Sequence, residues 1–117
     1  MCLIKTHRFP KISRKPIIVY KRFIELGNNQ LQTPCIGLLC KCGSVIKSSD
    51  HWYKGIFKHT IGREGVHAYV IKDYFLPYNP SNHKLYICEI PPYTPYWIGA
   101  YDEIAASKMK IIEKSIG

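Results

Sequence analysis

The chain has 117 residues, 46% hydrophobic and 21% charged, with 17 Lys and Arg against 8 Asp and Glu for a formal net charge of +9. That length suits one domain around a single core, and the apolar content excludes an intrinsically disordered chain. No apolar run approaches the ~20 residues that span a bilayer, and Met1-Cys2-Leu3-Ile4-Lys5 lacks the apolar centre of a signal peptide, so a cytoplasmic protein without membrane contact is expected.

Residues 1–15 read as a basic arm preceding the compact part of the single domain, with one short strand at residues 2–5. Lys5, Arg8, Lys11, Arg14, Lys15, Lys21 and Arg22 all come before the first acid, Glu25. Such asymmetry favours polyanionic or phosphorylated partners, and it equally serves solubility. Residues 16–26 form the clearest strand, rich in β-branched and aromatic side chains and closed by the turn signal Gly27-Asn28-Asn29. Its period of two puts Ile18, Tyr20 and Arg22 on one face and Val19, Lys21 and Phe23 on the other.

Residues 35–40 and 44–47 read as two short strands or one bulged strand, interrupted by Lys41-Cys42-Gly43. The cysteines are Cys2, Cys35, Cys40, Cys42 and Cys88, an odd number that suits reduced thiols rather than a disulfide framework. Cys40-x-Cys42 with Cys35 and His51 invites a zinc reading. Structural zinc sites pair ligands as C-x2–4-C, however, and C-x-C on a strand sends its thiols to opposite faces. No metal is expected. Residues 48–57 carry a turn or short helix, residues 62–65 a loop, residues 66–71 another strand, and residues 72–76 a second short helical segment.

Residues 77–83 are loop by composition. Residues 84–90 alternate as a strand, with Leu85, Ile87 and Glu89 on one face and Tyr86, Cys88 and Ile90 on the other. Pro91-Pro92 ends it, because proline offers no N–H to a ladder. An extended aromatic loop over residues 93–101 follows. The remaining tail is ambiguous. Acids first and lysines last suit a helix, while Lys108-Met109-Lys110-Ile111 alternates as a strand. We read a turn or single helical turn over 102–107 and a strand from 108. The expected class is α+β: strand-dominated, with a mostly antiparallel, curved sheet and one or two short helices.

His67 and Tyr69 lie two apart and so share a strand face. His67 could act as a base near neutral pH or sit as a satisfied core histidine. Asp102 and Glu103 are adjacent, so they do not face each other as a catalytic carboxylate pair would. Neither a P-loop nor G-x-G-x-x-G is present, and no catalytic residue is assigned. Nine tyrosines and two tryptophans on a basic chain suit stacking against bases with phosphate attraction at the rim, or packing at a core edge. The candidate ligand-binding residues are Tyr20, Arg22, His67, Tyr69, Tyr93 and Tyr96, with Lys21 as a further cation. Trp97 and Gly99 are expected in the scaffold.

Four segments carry a resemblance: Met1-Cys2-Leu3-Ile4, Pro16-Ile17-Ile18-Val19-Tyr20-Lys21, Glu64-Gly65-Val66-His67-Ala68-Tyr69, and Cys88-Glu89-Ile90-Pro91 with Tyr96-Trp97-Ile98-Gly99 and Ala106-Ser107-Lys108. By these the chain resembles a family of small uncharacterised proteins of Bacteroides-type bacteria and their phages, from which it departs at Pro92 and in its longer basic arm. Tyr20-Lys21-Arg22 and Ile90-Pro91 with Tyr96-Trp97-Ile98-Gly99 also resemble, faintly, the first and late strands of ADP-ribosyltransferase-type folds.

The resemblances imply a phage- or mobile-element-encoded, non-enzymatic protein that captures an anionic, nucleotide-like ligand such as a defence signalling nucleotide, without a cofactor. Two alternatives stay open. One is an enzyme acting on NAD or another nucleotide, using His67 with Glu89 or Glu103. The other is a protein- or nucleic-acid-binding module that uses the basic arm. Exposed strand edges would also suit a homodimer.

Overall fold

The computed structural model describes residues 9–33, 39–47, 65–70, 83–100 and 102–115. Their strands are β1 (Ile17–Gly27), β2 (Gln30–Gln32), β3 (Leu39–Lys41), β4 (Val45–Lys47), β5 (Val66–Tyr69), β6 (His83–Ile90), β7 (Tyr96–Ile98), β8 (Glu103–Ala106) and β9 (Lys108–Lys114). All pairings among them are antiparallel.

The strands expected around residues 16–26, 66–71, 84–90 and from 108 onward are all present. Two expectations are corrected. The loop over 93–101 contains β7, and the turn or helical turn over 102–107 is the strand β8. No helix occurs among the described residues, so they form a mostly-β structure rather than an α+β one. The helical readings at 48–57 and 72–76, and the strand reading at 2–5, lie outside the described residues.

The strand order is β4-β9-β6-β1-β5-β8-β7, with β2 pairing β1 and β3. β1 is the organising strand. It runs in register with β6 from Ile17↔Ile90 to Ile24↔His83, while its other edge meets β5 at Tyr20↔Tyr69 and β2 from Ile24 onward. The β1–β2 hairpin turns through Asn28 and Asn29, both at positive φ (52° and 62°). That left-handed pair is what a two-residue loop needs to match strand twist, and asparagine tolerates it. Gly43, at φ 89°, takes the chain from β3 into β4, its amide bonded to Ile111 O at 2.8 Å.

β8 and β9 are joined by Ser107 alone, yet β5, β1 and β6 stand between them in the sheet. Four interstrand steps of about 4.8 Å separate them in a flat sheet, far more than one linking residue can span. The sheet therefore curls over, and residues 103–114 act as one bent strand serving both flanks. The enclosed side holds the core: Val19, Phe23, Leu31, Ile46, Val66, Ala68, Tyr86, Cys88, Ile90, Ile104, Ala106, Met109 and Ile111. Phe23 and Tyr86 meet edge to face, with centroids 5.6 Å apart.

Residues of the basic arm dock on the β7 edge. Lys11 pairs with Tyr96 through bonds of 2.8 and 3.0 Å, and the Tyr93 amide donates to Ser13 O at 2.8 Å. The arm thus covers backbone groups that would otherwise be unpaired at a sheet edge.

Candidate functional site

The period of two that sends Val19 and Phe23 into the core sends Ile18, Tyr20 and Arg22 to the opposite face of β1. On β5, Val66 and Ala68 pack into the core, so His67 and Tyr69 belong to that opposite face as well. On β8, Ile104 and Ala106 are core residues, which leaves Glu103 and Ala105 with His67 and Tyr69.

Register aligns these side chains in rows. Tyr20 pairs with Tyr69, and Tyr69 pairs with Glu103, giving the row Tyr20–Tyr69–Glu103 across β1, β5 and β8. At about 4.8 Å per strand its span is roughly 10 Å, comparable to a base with its sugar. A second row runs His67–Ala105–Trp97 across β5, β8 and β7. Antiparallel continuation from Tyr20↔Tyr69 brings Arg22 toward the His67 end of β5. The Lys21 ammonium donates to His67 O at 2.6 Å, fixing that end of β5 against β1.

The expected site residues therefore divide. Tyr20, Arg22, His67 and Tyr69 share one sheet face and are each half-buried. Tyr96 stands on the core-facing side of β7, opposite Ala106, and packs against the core. Tyr93 is 69% exposed, holds a positive φ of 62°, and lies in the turn before β7. Lys21, named as a further cation, lies on the core-facing side of β1 with Val19 and Phe23, as the period of two places it, its ammonium 5.9 Å from the Phe23 ring centroid. Trp97 is fully buried and Gly99 is buried, as scaffold residues.

Glu103 is the residue whose place sequence reasoning underweights. It is only 4% exposed, and its Oε1 is out of solvent without a hydrogen-bond partner. Burial pushes its carboxyl above the ordinary carboxylate range, against a smaller opposing pull from the positive charge of the chain's N-terminus. Its backbone is firmly held. Glu103 O accepts from Gly99 N at 2.7 Å, and the preceding Asp102, in the left-handed region at φ 59°, accepts from Val70 N at 2.9 Å. No local pattern marks the place of Glu103, because Glu103-Ile104-Ala105-Ala106 is buried throughout and the charge order of the tail reads as helix-like.

The three described thiols are of another kind. Cys40 and Cys42 donate to different carbonyls, Leu31 O at 3.6 Å and Ile112 O at 3.3 Å. Cys88 is buried in the core, and burial pushes its thiol up to about 12. Among the described residues no group of His, Cys, Asp and Glu is arranged to hold a metal ion, and no helix is long and apolar enough to cross a membrane.

No protein-family model, curated protein or solved structure matches the chain.

Proposed function

We propose that the face carrying Tyr20, Arg22, His67 and Tyr69 captures an anionic, nucleotide-like ligand. The observation that carries this reading is the shared face itself: two tyrosines in register, with a cation and a histidine beside them on the same strands. Aromatic faces accept a base by stacking, and a guanidinium offers planar, charge-assisted bonds to phosphate. The net charge of +9 adds long-range attraction for the same class of ligand. The Tyr93 turn is a poorer candidate, since Tyr96 faces the core and Tyr93 stands apart from the row.

Calorimetric titration with nucleoside mono-, di- and cyclic phosphates, at low and then raised salt, tests the reading. Binding should weaken with salt, and Tyr20→Ala or Tyr69→Ala should weaken it roughly tenfold, within the range for loss of one stacked base. Arg22→Ala should reduce the salt dependence, and Tyr93→Ala should change little. Absence of binding to every phosphate-bearing ligand at low salt sinks the proposal.

A second reading is an enzyme acting on the captured nucleotide, favoured by His67 and Glu103 sharing this face. Turnover of NAD or a nucleotide by purified protein, lost in His67→Ala while binding persists, would move the protein from capture to catalysis.

A further inference from the structure

We infer that Glu103 reads the base of the captured nucleotide and selects a guanine-type edge, with two N–H donors side by side. This rests on the nucleotide reading above and names the ligand of the same face.

A carboxyl oxygen removed from water without a donor is among the least favourable arrangements a fold can hold. Natural structures satisfy nearly all buried polar atoms, and an exception calls for a reason. Glu103 is such an exception: 4% exposed, with Oε1 unpartnered. Its position supplies the reason. It ends the row Tyr20–Tyr69–Glu103, so a base stacked on Tyr69 turns an edge toward the carboxyl one strand away. The desolvation that raises the carboxyl's proton affinity is relieved when a ligand brings donors to it. The backbone bonds at Asp102 and Glu103 fix the strand end that carries the carboxyl, which limits the backbone entropy lost on binding.

An ionised carboxylate only accepts hydrogen bonds, through two oxygens. Guanine presents N1–H and the 2-amino group together and can satisfy both. Adenine and cytosine place a ring-nitrogen acceptor beside their amino group, which repels a carboxylate. Uracil sets its single N–H between two carbonyls. Hypoxanthine keeps N1–H but lacks the 2-amino group. Among the common bases, guanine alone matches the acceptor pair.

The test is calorimetry of the full chain with GMP, IMP, AMP and UMP, repeated with Glu103→Gln. GMP should bind at least about tenfold more tightly than IMP, the worth of one charge-assisted hydrogen bond. The near-isosteric Glu103→Gln should lose that preference and gain affinity for XMP, whose 2-oxo group accepts from the introduced amide. The GMP–IMP comparison needs no variant, so the inference stays testable even if the substitution disturbs folding. Equal binding of all four nucleotides, or a guanine preference that survives Glu103→Gln, overturns the role of Glu103 and leaves nucleotide capture standing. Binding of none of them, with none of the wider phosphate-ligand series, overturns both.

Discussion

The Tyr86 hydroxyl donates to Glu25 Oε2 at 2.9 Å, and the Lys114 ammonium meets the same carboxylate at 3.2 Å. Three strands, β6, β1 and β9, are thus tied at one end by a single acid. The Tyr86 bond is the first cause of the lowering of Glu25, while burial, followed by Glu25 itself, pushes Tyr86 up to about 12.

Tyr86→Phe should cost about 1 kcal/mol at neutral pH, the net worth of one hydrogen bond. Its pH dependence has two arms. Glu25, lowered in the fold, contributes stability that is present above its ordinary value of 4.5 and lost as pH falls through the folded value. Tyr86, raised in the fold, contributes stability that is complete below 10 and lost as pH climbs toward about 12. Denaturant unfolding across pH should show both arms flattened in Tyr86→Phe, and an unchanged profile would separate the bond from stability. Lys114→Ala should matter little, since the Lys114–Glu25 pair is solvent-exposed.

Thiol reactivity should follow depth. Cys42 is exposed, Cys40 half-buried and raised by desolvation, and Cys88 buried with its thiol pushed up to about 12. Thiolate is the reacting form. Brief alkylation of native protein followed by peptide mapping should therefore label Cys42 ahead of Cys40 and leave Cys88 untouched until denaturant is added. Early labelling of Cys88 would contradict its place in the core.

Glu103→Gln should stabilise the unliganded protein at neutral pH. A carboxyl raised by burial contributes its full stability below its ordinary value of 4.5 and loses it as pH rises through the folded value. Removing the charge removes that loss, so the gain in Tm should be present at pH 7 and vanish in acid below about 4.5. A lower Tm for the variant at pH 7 would show that Glu103 has a stabilising partner.

Trp97 and Tyr93 should behave as opposites. Trp97 is fully buried against Ala105, so Trp97→Ala should cost roughly 3–5 kcal/mol, as large-to-small core changes do. Tyr93 is 69% exposed, and its replacement by alanine should stay within about 0.5 kcal/mol. Chemical denaturation of both variants distinguishes them, and similar costs would refute the assignment of the two aromatics.

The two longest-paired strands were legible because each has one face in the core and one away from it. In β1 and β6, Val19, Phe23, Tyr86 and Cys88 alternate with Tyr20, Arg22, Leu85 and Ile87, and period two survives in the sequence. The same rule brought His67 and Tyr69 together. β7 and β8 were illegible for the converse reason. Glu103-Ile104-Ala105-Ala106 is buried on both faces, so it shows no contrast, and alanine has little strand preference of its own. Whether Tyr96 faces solvent or core depends on its pairing with Ala106, a partner no local pattern announces. Sequence alone left Glu103 level with Glu89 as a carboxylate for the site, and the pairing with Tyr69 places Glu103 in the row.

The bent strand at Ser107 also sets an order of events in synthesis. Residues 103–114 complete both flanks of the sheet, pairing with β5 and β7 on one side and with β6 and β4 on the other. On a ribosome, β4, β5, β6 and β7 must each wait with an edge unpaired until this stretch emerges. Contacts so distant in sequence form slowly and leave edges open to other chains meanwhile. The protein should therefore depend on its late residues for escaping aggregation as much as for final stability, with Ser107 as the pivot on which both flanks close.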